Sequence, residues 1–211
     1  MDKMTFNRLI SPYNRTLRTD KQNEWLVIHY VGAVSSAENN AKYFSTEYRG
    51  ASAQYFVDPT SIWQSVEDFH DAWQIGAKKY YNGARNSNSI GIEMCCKKDK
   101  NGNWYIEQET IDNTIWLATK ICKKYNIPIT HVVRHYDCTH KVCPEPFVRE
   151  PRLWQEFLKR LEASLMEETL QEKETKIKEY YGLDDNTIRY FEFYRYNTAL
   201  IDKLYNRAKN G

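Results

Sequence analysis

Apolar residues in the first three quarters of the chain come either in short unbroken runs or at helical spacing. Glu24-Trp-Leu-Val-Ile-His-Tyr-Val31 is apolar after its first residue apart from His29 and closes at Gly32, the pattern of a strand covered on both faces. Ser52 to Val57, closed by Asp58-Pro59, and Ser61 to Val66 read as two strands paired in a hairpin. Ser89 to Cys95 is a further strand with Glu93 in its middle, and Thr130 to Tyr136 is the last, with His135 near its end. Ser35 and Glu38 form a capping box that predicts a helix from near Ser36 to about Thr46. Ile111, Ile115, Ala118, Cys122 and Tyr125 predict a core-facing helix that stops at Asn126, before Pro128. Pro151 opens another, carrying Leu153, Trp154, Phe157 and Leu161. Residues 1–23 read as an extended polar lead-in and 67–88 as loop. The alternation of strands and helices over these residues predicts an α/β sheet with crossover helices.

Beyond Glu162 the pattern changes. Ala163 to Lys178 is rich in Glu and Lys and reads as a helical linker or an extension of the preceding helix. Tyr180 to Asn186 stops one helix and caps a final one carrying Ile188, Phe191, Tyr194, Ile201, Leu204 and Tyr205. The expected division is a main domain over 1–164 and a small helical appendage over 165–211. The appendage is too short for a sizeable core of its own, so it must dock on the main domain, on a second copy or on an external surface.

Charge and cysteine content narrow the function classes. A net charge of +2 gives no electrostatic footprint for nucleic acid. No stretch has the length of a signal peptide or a membrane span, so the chain is expected to stay in the cytoplasm until something releases it, without a membrane partner. Five cysteines, with Cys95 and Cys96 adjacent, are not a disulfide framework and read as reduced thiols. Sixteen Tyr and six Trp suit a surface that stacks on sugars or grips peptides.

Three strands carry a polar residue that burial would penalise unless it is paired: His29, Glu93 and His135. Three such residues on separate strands point to a shared polar pocket. The run from His131 to Phe147 adds Cys138, His140, Lys141 and Cys143, and Pro144 lets Cys143 fold back over the strand end. Three readings stand open. His29, His135 and Cys143 could hold zinc and leave the fourth position to water. A Cys/His nucleophile pair needs an orienting Asn or Asp and an activated thiolate, and neither is marked. The cysteines could also be plain core residues. His70 and His140 read as solvated loop positions, and His131 as a rim or core residue sharing a face with His135. Cys95, Cys96, Cys122 and Cys138 read as small hydrophobes.

Val27-Ile-His-Tyr30, Ser52-Ala-Gln-Tyr-Phe-Val-Asp58, Ala72-Trp73, Asn88-Ser-Ile-Gly-Ile-Glu93, and His135 with Lys141-Val-Cys-Pro144 follow one another in that order. Over roughly residues 20–160 this resembles the type-2 N-acetylmuramoyl-L-alanine amidases, the zinc family that includes phage amidase endolysins and peptidoglycan recognition proteins. The resemblance implies a mixed central β-sheet flanked by helices, with one Zn2+ per chain at the floor of a peptide groove. By residue, it implies His29, His135 and Cys143 as metal ligands, Lys141 steadying an oxyanion, and Glu93 as base or water-orienter. Gln54 and Trp73 are expected to line the substrate groove. Gln54 departs from the Tyr or His usual there, with Tyr55 on the opposite face of its strand. Gln74 stands where relatives often carry His or a small residue. The implied activity is cleavage of the amide between N-acetylmuramic acid and L-alanine in bacterial peptidoglycan, by a phage or prophage endolysin whose residues 165–211 bind the wall or join subunits. A non-catalytic muropeptide sensor and a cytoplasmic muropeptide-recycling amidase are the alternatives.

Overall fold

A computed structural model describes residues 4–167, 170–192 and 197–210. Six strands form one mixed sheet in the order β1 (Thr5–Arg8), β5 (Ser61–Gln64), β4 (Tyr55–Val57), β7 (Ser89–Met94), β3 (Trp25–Tyr30), β10 (Val132–Arg134). Every neighbouring pair is parallel except β4–β5, the hairpin closed at Asp58-Pro59. There the Asp58 carboxylate accepts from the backbone N–H groups of Thr60 and Ser61, at 2.9 and 2.7 Å, which fixes the turn. Two short antiparallel ribbons complete the strands: β2 (Arg15–Thr16) with β6 (Asp71–Ala72), and β8 (Lys97–Lys98) with β9 (Trp104–Tyr105).

The period-2 alternation of the strands separates two faces. Leu26, Ile28, Ile90, Ile92, Tyr55 and Val57 lie on one, all buried, and α2 (Gln108–Tyr125) packs against β3, β4 and β7. Val27, His29, Gly91, Glu93 and Phe56 lie on the other. There α1 (Ala37–Thr46) lays Ala37 and Ala41 against Phe56 and Cys95. α1 starts where expected, but its cap is Ser36, whose hydroxyl accepts from Asn39 N–H at 3.2 Å. Glu38 pairs with Lys42 at 2.6 Å, one turn along, and takes no part in a capping box with Ser35. α2 ends at Asn126, which turns left-handed (φ 55°).

Three expectations change. The polar lead-in contains β1, an edge strand with mostly exposed side chains. It buries no apolar face, so nothing in its pattern announces it. The loop over 67–88 contains β6 and a 3-10 turn at Asn86–Asn88. The strand expected over Thr130–Tyr136 is only β10: Ile129–His131 form a 3-10 turn, and His135 opens the short helix α3 (His135–Thr139). The cause is Asp137. Its carboxylate accepts from the Arg134 backbone N–H at 2.9 Å and from the Arg134 guanidinium at 3.0 and 2.7 Å, coiling the chain directly after Arg134. His131 and His135 therefore share no strand face.

α4 (Glu145–Arg149) and α5 (Pro151–Met166) follow. The chain divides into two compact units, Met1–Ser164 and Leu165–Gly211. The second contains α6 (Leu170–Tyr181), α7 (Asp185–Glu192) and α8 (Asn197–Asn210) around a small cluster of Ile177, Ile201 and Tyr205. The single final helix expected from the apolar stripe is thus two helices, and Tyr194 lies outside the described residues. No helix among the described residues is long and apolar enough to cross a membrane.

Candidate metal centre

Parallel pairing assembles the site. β3 and β7 align His29 with Glu93, and β3 and β10 align Ile28 with Arg134, so the next residue, His135, arrives beside His29. α3 then reverses the chain through His140, which is left-handed (φ 61°). The returning loop is held by a bond from Tyr136 N–H to the Cys143 carbonyl at 2.9 Å, which sets the Cys143 thiol over the same spot. His29, His135 and Cys143 are 1%, 3% and 2% exposed, and one donor atom from each lies within 4.8 Å of the others.

Two of the three spacings suit one tetrahedral ion. The two Nδ1 atoms are 3.1 Å apart, and Cys143 Sγ is 3.7 Å from His29 Nδ1. Bonds of zinc to nitrogen and sulfur at a tetrahedral angle place such atoms about 3.3 and 3.6 Å apart. One polar atom of the pocket, Glu93 Oε2, is buried without a hydrogen-bond partner, a costly arrangement in a site that holds nothing. Burial, then the neighbouring His135, holds His29 well below the usual imidazole range. Burial, then the charge of Lys141, pulls His135 down to about 4. Both rings are therefore neutral at pH 7, the form that ligates a metal. Burial pushes the Cys143 thiol up, with Glu93 adding to the effect, so forming its thiolate calls for a cation in the site.

Glu93 Oε1 lies 3.9 Å from His29 Nδ1. Burial lifts its carboxyl to about 8, against the opposing pull of Lys141. Glu93 also forms part of the wall of a cavity of about 490 Å³ lined by Val31, Asn39, Asn40, Tyr43 and Phe44. Lys141 is exposed on the return loop, and its charge is felt at His29, Glu93, His135 and Cys143.

Gln54 and Trp73 do not meet this cluster. Gln54 is fully buried on the expected face but lies deep beneath the site, its amide bound to backbone groups of Gly91 and His70 at 2.8 and 3.2 Å. It lines no open groove. Trp73 donates from Nε1 to Thr16 Oγ1 at 3.1 Å and meets the ring of Tyr48 edge-on. His131 stacks on Trp25, 3.9 Å between ring centres, with Nδ1 3.0 Å from the Glu24 carbonyl. His140 stacks on Tyr81. His70 lies in a loop, half-buried, and its Nδ1 accepts from Arg18 N–H at 2.8 Å, tying down the N-terminal segment. Cys95, Cys96, Cys122 and Cys138 are buried thiols, all raised by that burial.

The contact that Gln74 makes was not legible in the sequence, although its position was. Gln74 is buried, with its Oε1 2.9 Å from His29 Nε2. The available signal was Gly91, a glycine inside an apolar strand, which marks a close approach. A Cβ built there would lie 1.7 Å from Gln74 Oε1.

Comparison with known proteins agrees with this geometry. Residues 19–146 match the model of the N-acetylmuramoyl-L-alanine amidase family. A probable N-acetylmuramoyl-L-alanine amidase of Bacillus licheniformis is 32% identical over 155 residues, 69% of this chain and 43% of that protein. The chain spans less than half the length of this and two further curated relatives, at 43%, 42% and 41%. A mutant endolysin from Bacillus subtilis shares the fold at TM-score 0.61 and 22% identity, over 75% of this chain and 99% of that one. The amidase AmiD from E. coli, solved with anhydro-N-acetylmuramic acid-L-Ala-D-gamma-Glu-L-Lys, matches at TM-score 0.52 and 26% identity, over 69% of this chain and 60% of that one. With the family model covering more than half of its residues, the chain belongs to the N-acetylmuramoyl-L-alanine amidase family.

Proposed function

We propose that residues 1–164 form a zinc-dependent peptidoglycan amidase that cleaves the bond between the lactyl group of N-acetylmuramic acid and L-alanine, as an endolysin does. The observation that carries this reading is the meeting of His29, His135 and Cys143 with Glu93 beside them. The muropeptide bound by AmiD supports the substrate class.

His29, His135 and Cys143 would hold the metal through two neutral imidazoles and a thiolate. Bound Zn2+ supplies a Lewis acid for the scissile carbonyl and lowers the pKa of water toward neutrality. Glu93 takes a proton from the attacking water onto its carboxylate and returns it to the nitrogen of the departing L-alanine. Lys141 brings its ammonium to the oxygen on which negative charge collects, a contribution of about 3 kcal/mol. The cavity beside Glu93, with Asn39, Asn40 and Tyr43 on its wall, offers amides, a hydroxyl and an aromatic face to sugar or stem peptide. Residues 165–211 serve wall attachment or self-association, with Tyr180, Tyr181 and Tyr190 exposed for contact.

The test is metal analysis of the purified chain together with the release of new L-alanine amino termini from isolated cell walls. About one zinc per chain and steady release are expected. Zinc without release would leave a muropeptide-binding module, and no zinc would sink the hydrolase reading. Light scattering of the full chain, alone and with wall fragments, separates self-association from attachment.

A further inference from the structure

We infer that Gln74 is a positioning residue that locks His29 in the tautomer with a bare Nδ1, and that Gln54 and Gly91 set the direction of that lock. The consequence for metal affinity depends on the zinc reading above, whereas the chain of hydrogen bonds does not.

The chain has one permitted polarity. The backbone N–H of Gly91 can only donate, and the Gln54 atom it meets at 2.8 Å is therefore the amide oxygen. The nitrogen of Gln54 is then left facing two acceptors, the carbonyls of His70 at 3.2 Å and Ser89 at 3.5 Å. The Gln54 oxygen lies 3.5 Å from the Gln74 amide, so the nearer end of that amide is its nitrogen. The same nitrogen is 3.1 Å from Ser89 Oγ, whose own proton goes to the Arg85 carbonyl at 2.6 Å. A flipped Gln74 would set oxygen against the fixed oxygen of Gln54, and at Ser89 it would find a donor only if the hydroxyl gave up the Arg85 carbonyl. Its Oε1 consequently faces His29 Nε2 at 2.9 Å, and an acceptor there requires the ring proton on Nε2. The lone pair of His29 is left on Nδ1, the atom 3.1 Å from His135 Nδ1 and 3.7 Å from Cys143 Sγ.

The strand makes the room for this. Gln74 Oε1 occupies the space over Gly91 that any side chain would fill, and Gly91 and Glu93 share a face of β7. One glycine therefore serves twice: its N–H orients Gln54, and its missing Cβ admits Gln74. A hydrogen-bonded partner on the far nitrogen of a ligating histidine fixes the ring and raises its basicity, and losing such a partner weakens metal binding about 10- to 100-fold.

The experiment uses the full chain with selectively 15N-labelled histidine, and zinc competition against a chelator. In zinc-free wild type, His29 should carry its proton on Nε2, with a slowly exchanging N–H signal. Gln74→Met, similar in size but without an acceptor, should lose that signal and bind zinc 10- to 100-fold more weakly. Gln74→Glu, which restores an acceptor and leaves the Ser89 hydroxyl free to turn toward its second oxygen, should recover the signal and most of the affinity. Zinc affinity within twofold of wild type in folded Gln74→Met, or a His29 proton on Nδ1 in zinc-free wild type, would overturn the proposal. Should Gln74→Met fail to fold, the wild-type spectrum and Gln74→Glu still decide it. A wild type with the expected tautomer that binds no zinc would remove the zinc reading and leave the lock standing.

Discussion

Asp68, which is buried, and Glu93, which is partly exposed, are carboxylates that follow opposite rules. Asp68 is 6% exposed and every oxygen is occupied: Oδ1 accepts from Tyr55 Oη at 2.5 Å and Gln64 Nε2 at 3.4 Å, Oδ2 from Tyr125 Oη at 2.7 Å and Lys124 Nζ at 3.0 Å. The cluster ties α2 to β4 and β5 and holds Tyr55 and Tyr125 as neutral phenols, their ionisation pushed up by burial first and by Asp68 as well. Glu93 keeps one oxygen 3.9 Å from a histidine and the other with no partner. A closed polar network is finished by folding; an open one keeps hydrogen-bonding capacity for something that arrives later. That difference is the one expected between a structural carboxylate and the base proposed for Glu93.

Four experiments would break or sharpen that contrast. The largest effect is expected at Cys143→Ser. Zinc should fall from about one per chain to near none, and amino-terminus release from walls should drop by about 10⁴-fold. Retained zinc would mean that a different group completes the site. Next, Glu93→Gln should cost about 10³-fold in kcat while the zinc content stays unchanged. The same substitution removes an unpaired buried group, so urea unfolding should find the variant no less stable than wild type. Asp68→Ala should do the reverse. It leaves the hydroxyls of Tyr55 and Tyr125 without their acceptor and should lose about 3 kcal/mol in urea unfolding, with kcat per folded molecule preserved. A stable Asp68→Ala with damaged kcat would erase the distinction.

The smallest effect concerns a buried charge that is bonded but not neutralised by contact. Lys21 Nζ donates to the carbonyls of His70 at 3.0 Å and Ser89 at 2.7 Å. Burial pulls its pKa down to about 8, against the pull of Asp71 and Asp68. The unfolded chain, at the ordinary 10.5, binds this proton more tightly than the folded one, so folding gains stability as pH rises from 8 to 10.5 and loses it as pH falls through that window. Wild type should therefore gain on the order of 2 kcal/mol relative to Lys21→Met across that range in urea titrations. A flat difference would show the ammonium to be solvated.

What the sequence disclosed follows the same logic. His29 and Glu93 were legible because each interrupts an apolar strand, and burial makes such an interruption expensive. His135 was legible for a reason only half correct, since it opens a helix and does not end a strand. The Asp137 carboxylate that coils the chain there acts through geometry that a hydrophobic pattern does not encode. Gln54 shows where alternation stops being informative: parity gave its face, but depth depends on what lies above it, and Gln74 lies there. Gln74 itself comes from an aperiodic loop, so its role had no periodic signal. β1 was hidden because an exposed edge strand carries no apolar face, and the break between α7 and α8 because one apolar stripe runs across both.

The pairing of β10 beside β3 joins segments 106 residues apart, and the cysteine comes from a return loop that follows. During refolding, an unfinished sheet offers an incoming ion a single isolated imidazole, too few donors to retain it. Uptake of the ion from a coloured indicator would then trail the burial of the Trp25 indole, and a chain stalled with its last strand undocked would stay inert toward cell walls however much secondary structure it had acquired.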